Sequence, residues 1–186
     1  MKLYNQGYVV QGKYKNIYTS ELSNYYGVEK YFSWPLDNDD SSESKYLNKL
    51  LWENWFCYQN QLETVPSIEF LRAYVQQCDA RSIPTTILKL EAAVPTTFSV
   101  DELPIQEIIG FDCIVGVHLS YLNIASSYMM VHFPLSYSKI NSYGLFYNWE
   151  DAQSYIKEYE QLRNSGENLE YGLNPLPVRL STITDI

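Results

Sequence analysis

Histidine and cysteine are scarce in this chain, and long apolar runs are missing. Of 186 residues, two are histidine and three are cysteine. Histidine is the commonest general acid or base and a frequent metal ligand, so its scarcity disfavours hydrolytic and metal-dependent chemistry. No stretch reaches the roughly 18 apolar residues of a membrane span, and the first residues lack the apolar region and cleavage site of a signal peptide. The sequence therefore predicts a cytoplasmic protein.

The motifs of the common enzyme classes are absent as well. The chain has no GxSxG elbow, no P-loop, no GxGxxG and no HExxH, so neither a nucleophile nor a nucleotide or zinc site is indicated. Cys57, Cys78 and Cys113 are widely spaced among apolar residues. This spacing predicts buried, reduced thiols instead of a disulfide framework or a zinc site. We predict no catalytic residues, no metal and no cofactor.

Acidic residues and tyrosines are abundant. The formal net charge is −9, and there are 18 tyrosines. The first thirty residues hold four lysines and two glutamates and carry +2, which leaves −11 for the rest. An acidic surface repels phosphates, so we expect neither nucleic-acid nor membrane binding, and a basic protein partner fits better. Tyrosine provides rigid contact area with a polar end, which favours binding over chemistry. The alternative interpretation of the negative charge is that it only keeps the protein soluble.

Apolar periodicity predicts three helices. The first begins in the acidic loop near Asp40, where Glu43 completes a capping box, and extends to about Asn60. The second follows Ser67, and its stripe of apolar residues reaches Cys78. The third begins at Trp149 after an Asn148 cap and ends near Asn164.

Strands are predicted around Tyr8–Val10 and over residues 85–90, 107–119, 129–133 and 176–183. In the 107–119 segment, alternation predicts one core face and one small, polar face that carries Asp112. Pro175 and Pro177 favour an edge position for the last strand. Strands and helices do not alternate as in βαβ units, and no internal repeat is evident. We therefore predict a single α+β domain over residues 1–186, with a mostly antiparallel sheet and one layer of about three helices.

Two histidines are the candidates for an enzyme site. His118 lies on the same predicted strand face as Asp112, but six residues along a strand span about 20 Å. A catalytic carboxylate for His118 or His132 would therefore come from another element. A hydrogen-bonded or surface histidine is the more economical interpretation.

Adjacent carboxylates occur at Asp39/Asp40, Asp101/Glu102 and Glu150/Asp151. The last pair falls in the first turn of the third predicted helix, where negative charge complements the helix dipole. The first pair suits a solvated loop or a protein interface.

Tyrosines interleaved with lysines between residues 13 and 31 resemble a single-strand nucleic-acid platform. The small positive charge of this region disfavours such binding.

Four short segments resemble bacterial immunity proteins that accompany polymorphic or contact-delivered toxins. These segments are EIIGFDC at 107–113, SYLN at 120–123, GLF at 144–146 and WEDA at 149–152. The resemblance covers roughly residues 107–162. It implies a small cytoplasmic protein that binds a cognate toxin and blocks its active site without catalysis.

An acidic surface rich in tyrosine and tryptophan suits the basic cleft of a toxin, because charge steers association and aromatic side chains anchor the complex. The predicted contact residues are Asp37, Asp39, Asp40, Glu43, Tyr121 and Tyr128. Two alternatives stay open: an enzyme that uses His118 or His132, and a structural or adaptor domain of a phage or host assembly. The sequence leaves the oligomeric state open.

Overall fold

The fold is taken from a computed structural model. It describes residues 1–13, 32–33, 56–57, 63–80, 82, 85–114, 141–143, 145–165, 176–184 and 186. In chain order the strands and helices are β1 (Tyr4–Lys13), β2 (Phe32–Ser33), β3 (Phe56–Cys57), β4 (Glu63–Thr64), α1 (Ile68–Asp79), β5 (Thr85–Ala92), β6 (Ile105–Ile114), α2 (Trp149–Asn164) and β7 (Leu176–Ile183).

Four long antiparallel strands form the centre of the fold. The sheet order is β2-β1-β5-β7-β6, with the two-residue β2 at one edge and β6 at the other. The short strands β3 and β4 form a separate antiparallel pair. The predicted α+β class with a mostly antiparallel sheet is confirmed. No described helix has the length and apolar character needed to cross a membrane.

Both described helices begin where the sequence predicts. The Ser67 hydroxyl accepts the amide of Phe70 at 3.3 Å, and the Asn148 side chain accepts the amide of Asp151 at 2.9 Å. These N-cap bonds satisfy amides that have no partner within the helix. The buried stripe of α1 includes Leu71, which is fully buried and contributes about 1.5–3 kcal/mol by its transfer from water.

The first predicted helix, over residues 40–60, lies mostly outside the described residues. Within it, Phe56 and Cys57 form β3, so the prediction of helix is wrong for these two residues. Their aromatic and sulfur-containing side-chain types are compatible with either structure, because short apolar runs do not distinguish a helix from a strand. The structure therefore describes two helices, fewer than the three predicted.

The four long strands form two equivalent pairs. In one half Gly7 pairs with Leu90, and in the other Gly110 pairs with Leu180. Leu90 and Leu180 also pair with each other, where β5 meets β7. The pairing registers of β1-β5 and β6-β7 are therefore related by a two-fold axis between these two leucines. The chain contains a structural repeat that the sequence does not reveal.

Each half contains a glycine bulge at the equivalent position. Gly7 has φ +108° and Gly110 has φ +150°, and the strand register shifts beside each of them. The next residue, an aromatic one, exchanges two backbone hydrogen bonds with a neighbouring segment. Tyr8 does so with Val65 at 3.0 and 2.8 Å, and Phe111 with Phe146 at 2.9 and 2.8 Å. Each bridge lies three residues before its helix.

Both faces of the sheet are buried at its centre. The face that carries Tyr8 and Val10 packs against α1, and its continuation on β6 contacts α2, where the Phe111 ring meets Trp149 edge-on at 6.2 Å. We call this the helix face. On the opposite face a second apolar cluster is centred on Leu90 and Leu180. Because both helices lie on one face, they form the predicted single layer.

Two strand predictions are corrected by this arrangement. Asp112 was expected on a small, polar face, but it is fully buried, because both faces of β6 are covered. The last strand was expected at an edge, but β7 lies in the middle between β5 and β6. Pro177 is tolerated there because pairing with β5 begins only at Val178, so its missing N–H leaves no β5 carbonyl without a donor.

The glycine bulges give the first prediction. A Cβ on Gly7 would lie 2.5 Å from the Thr64 hydroxyl, and one on Gly110 would lie 2.7 Å from the Leu145 Cβ. Together with the positive φ, this contact should make Gly7→Ala and Gly110→Ala each lower the free energy of unfolding by about 1–3 kcal/mol. Urea unfolding measures the loss.

The exposed Gln153→Ala on α2 is the control and should change stability by less than about 0.5 kcal/mol. The two glycines lie in different halves, so the double variant should show the sum of the two losses. If either Gly→Ala variant is as stable as the wild type, glycine is not required at that bulge.

Candidate functional site

The described residues form a cleft of about 600 Å³ at one end of the sheet. We call it the acidic cleft. It is bounded by the end of α1, the start of β5, the start of β6 and the end of β7. Its lining residues are Val75, Asp79, Thr85, Thr86, Ile87, Gln106, Glu107, Thr182, Ile183, Thr184 and Ile186.

The floor of the acidic cleft belongs to the core. Ile183 is buried and packs in the same cluster as Tyr74 and Cys78 of α1, with Ile87 and Ile186 against it. Around this apolar floor stand four threonine hydroxyls and the Gln106 amide. Seven of the eleven lining residues are polar or acidic, so the cleft presents hydrogen-bonding and charged groups above a small apolar floor.

The electrostatics of the cleft are negative. Asp79 and Glu107 are exposed carboxylates in the lining, and the lining contains no lysine or arginine. Neither carboxylate forms a salt bridge with a described residue. Asp79 is also the last residue of α1, whose last turn has no basic residue. The carboxylate therefore lies at the negative end of the helix dipole, which is electrostatically unfavourable.

The segment 93–104 fixes the start of α1 and so the position of the helix above the cleft. The Asp101 carboxylate accepts the amide of Ile68 at 3.0 Å, and the amide of Asp101 donates to the Pro66 carbonyl at 3.1 Å. The Tyr8 hydroxyl donates to the Asp101 carbonyl at 2.7 Å and accepts from the amide of Leu103 at 2.9 Å. Asp101 is thus a structural carboxylate.

A second polar cluster lies on the helix face near the two-fold axis. Lys89 contacts Glu102 at 2.6 Å and Glu91 at 3.8 Å, and Arg179 contacts Glu91 at 2.6 Å. Lys89 and Glu91 are both buried. Two cations and two carboxylates balance in charge, so each buried ion has a partner, and removal of one would leave an uncompensated buried charge between β5 and β7.

Among the described residues, Asp112 and Cys113 are the titratable groups whose pKa values depart furthest from their ordinary values. Burial raises the pKa of the Asp112 carboxyl well above its ordinary value, although a hydrogen bond from the amide of Cys113 partly opposes this. Burial, together with the nearby Asp112 charge, raises the pKa of the Cys113 thiol. That thiol donates to the Ala152 carbonyl at 3.1 Å. A buried thiol with a raised pKa is a poor nucleophile.

Cys78 and Cys113 are buried free thiols, as predicted; the Cys57 side chain lies outside what is described. Glu150 and Asp151 occupy the first turn of α2, as predicted. The remaining predicted site residues lie outside the described residues: Asp37, Asp39, Asp40, Glu43, His118, Tyr121, Tyr128 and His132.

Asp79 and Thr182 were not predicted as site residues. An acidic residue at the end of a predicted helix was the available signal for Asp79, because it opposes the helix dipole.

Among the described residues, no group of three potential metal ligands comes together. Comparison of the chain with protein-family models, with curated proteins and with solved structures gave no match.

The position of Asp79 gives the second prediction. Asp79→Asn removes a negative charge from the end of α1 and should raise the free energy of unfolding by about 0.3–1 kcal/mol at low ionic strength. Urea unfolding at low and high salt tests this, since salt should diminish the gain. Glu160→Gln, at the equivalent position of α2 but inside that helix, should change stability by less than about 0.5 kcal/mol. A less stable Asp79→Asn protein would contradict the interpretation.

Asp112 gives the third prediction. In the unfolded chain its pKa is about 3.9, whereas the folded carboxyl keeps its proton to higher pH. The folded state therefore binds more protons above pH of about 4, and the contribution of Asp112 to stability falls as pH rises towards the folded pKa. Asp112→Asn removes this dependence.

The free energy of unfolding of wild type and Asp112→Asn is to be measured from about pH 4 to pH 8. The difference, variant minus wild type, should increase with pH by up to about 1.4 kcal/mol per pH unit until the folded pKa is reached. Parallel curves for the two proteins would show that the folded carboxyl titrates as it does in the unfolded chain.

Proposed function

We propose that this chain is an immunity-type binding protein, which captures a basic toxin in the cytoplasm and blocks its active site without catalysis. The observation that carries the proposal is the acidic cleft, because its two carboxylates, Asp79 and Glu107, have no cationic partner among the described residues. The resemblance of the segments between residues 107 and 152 to immunity proteins supports the same class.

The energetics of Asp79 support a ligand of positive charge. A carboxylate at the negative end of a helix dipole costs the folded protein stability, and Glu107 lines the same cleft without a salt bridge to a described residue. A lysine or arginine from a partner would offset the cost at Asp79 and pair with Glu107 on binding. Sites that sacrifice stability in this way are common where function requires them.

The dimensions and chemistry of the cleft suit a basic side chain. A volume of about 600 Å³ exceeds that of a single side chain and falls within the range of ordinary binding pockets. The threonine hydroxyls can accept hydrogen bonds from a guanidinium group, and the floor at Ile183 can pack against its methylene stem. The net charge of −9 would also accelerate association with a basic partner.

The fourth prediction concerns neutralisation. The product of the gene beside this one is to be expressed with and without this chain, and growth and complex formation are measured. We expect growth arrest by the neighbouring protein alone, rescue by the wild-type chain, and a one-to-one complex. Asp79→Lys/Glu107→Lys should raise the dissociation constant by about tenfold or more, since two charge pairs become repulsive.

Glu158→Lys/Glu160→Lys is the matched control, because it makes the same change of charge on α2, away from the cleft. It should weaken the complex much less than the cleft variant. If both variants weaken the complex equally, the change in net charge explains the effect, and the acidic cleft is not the contact site. Absence of toxicity, or absence of rescue by the folded wild-type chain, would contradict the proposed function.

A further inference from the structure

Among the described residues, the first part of β6, Ile105–Ile108, lies at an open edge of the sheet. Further along the strand, Phe111 exchanges two backbone hydrogen bonds with Phe146 on the outer side, and the Ile109 carbonyl accepts from the Asn141 side chain at 2.7 Å. Among the described residues, no strand pairs with the outer side of Ile105–Ile108. The open edge therefore offers unpaired backbone groups, which are a template for an added strand.

The two halves of the fold differ at this edge. Ile108 pairs with Ser181, and the equivalent residue of the other half, Asn5, pairs with Glu91. Asn5 is only 8 % exposed, whereas Ile108 is 49 % exposed. Ile105 is 37 % exposed as well. One half thus buries a polar residue at a position where the other half exposes an apolar one.

The open edge adjoins the acidic cleft. Gln106 and Glu107 belong to both, since they lie in the first part of β6 and line the cleft. A strand added beside the edge would project alternate side chains to opposite sides. One of its side chains can therefore reach the region between Glu107 and Asp79 while the neighbours cover Ile105 and Ile108.

We infer that the open edge binds an extended segment of a protein partner as an additional β-strand, with one lysine or arginine of that segment in the acidic cleft. This inference rests on the proposed function, which it deepens by naming the contact surface and the type of segment. Backbone hydrogen bonds would supply affinity, and the basic side chain would supply selectivity.

Charge favours this occupant over a second copy of the chain. Two copies joined through their open edges would bring Glu107 of one close to the acidic cleft of the other, and like charges across a strand pair are destabilising. A basic segment instead neutralises Glu107 and Asp79. The exposed isoleucines would then be covered by apolar or β-branched residues of the added strand.

The test uses phage-displayed random peptides selected on the immobilised full-length protein. We expect enrichment of sequences that alternate β-branched or aromatic residues with polar ones and contain lysine or arginine. A synthetic peptide of that sequence should slow hydrogen exchange of the amides in Ile105–Ile108. Slowed exchange elsewhere only, enrichment of acidic peptides, or no enrichment would overturn the inference.

Variants then locate the contact. Ile108→Lys and Glu107→Lys should each weaken peptide binding by about tenfold, whereas Gln153→Lys, which adds a positive charge on α2, should not. Urea unfolding checks that each variant is folded, and Ile105→Lys replaces Ile108→Lys if that protein does not fold. Unchanged peptide binding in the folded edge variants would overturn the inference.

Failure of this inference is distinguishable from failure of the proposed function. If Ile108→Lys still rescues cells from the toxin as well as wild type does, the open edge is not the contact surface, although neutralisation stands. If the wild-type chain rescues nothing but binds basic peptides at the edge, the strand-addition site stands and the toxin is the wrong partner. Concentration-dependent dimers that disappear in Ile108→Lys would identify a second copy as the occupant and overturn the inference.

Discussion

The close approach of backbone segments at two glycines is the constraint on which the rest of the fold depends. Thr64 lies directly against Gly7, and Leu145 lies directly against Gly110. Only a residue without a Cβ permits this contact at positive φ. The contact lets Val65 and Phe146 bridge to the sheet, and the helix caps follow two residues later, so each glycine determines where its helix begins and which face of the sheet it covers.

The two-fold relation between the halves explains why a charged cluster lies in the middle of the sheet. Lys89 and Arg179 occupy equivalent positions, beside Tyr8 and Phe111 respectively, so the axis brings two cations onto one face. Glu91 lies between them, and its equivalent in the other half is Ser181. One carboxylate thus serves two cations, and Glu102 supplies the second negative charge. The buried cluster is balanced because the repeat is imperfect.

Local signals in the sequence were sufficient for the two described helices and the four long strands, but not for the short strands β2, β3 and β4 or for the arrangement of the elements. Periodicity and caps predicted both described helices, since Ser67 and Asn148 act locally. The central position of β7 could not be predicted, because the prolines that suggest an edge precede the part that pairs with β5. The repeat was hidden because the equivalent residues share geometry more than identity: Gly7 and Gly110 match, but Thr64 corresponds to Leu145. The cleft joins residues from α1, β5, β6 and β7, which no local pattern brings together.

The site lies where the two halves stop being equivalent. At equivalent positions the halves share the bulge, the bridge and the helix cap, which together position each helix on the sheet. They differ at Asp79, where α1 ends while α2 continues past the equivalent Glu160, and at Ile108, which is exposed while Asn5 is buried. Requirements of folding act on both halves alike, so they do not account for an unfavourable charge and an exposed apolar edge in one half only. The proposed binding of a basic, extended partner would account for both features.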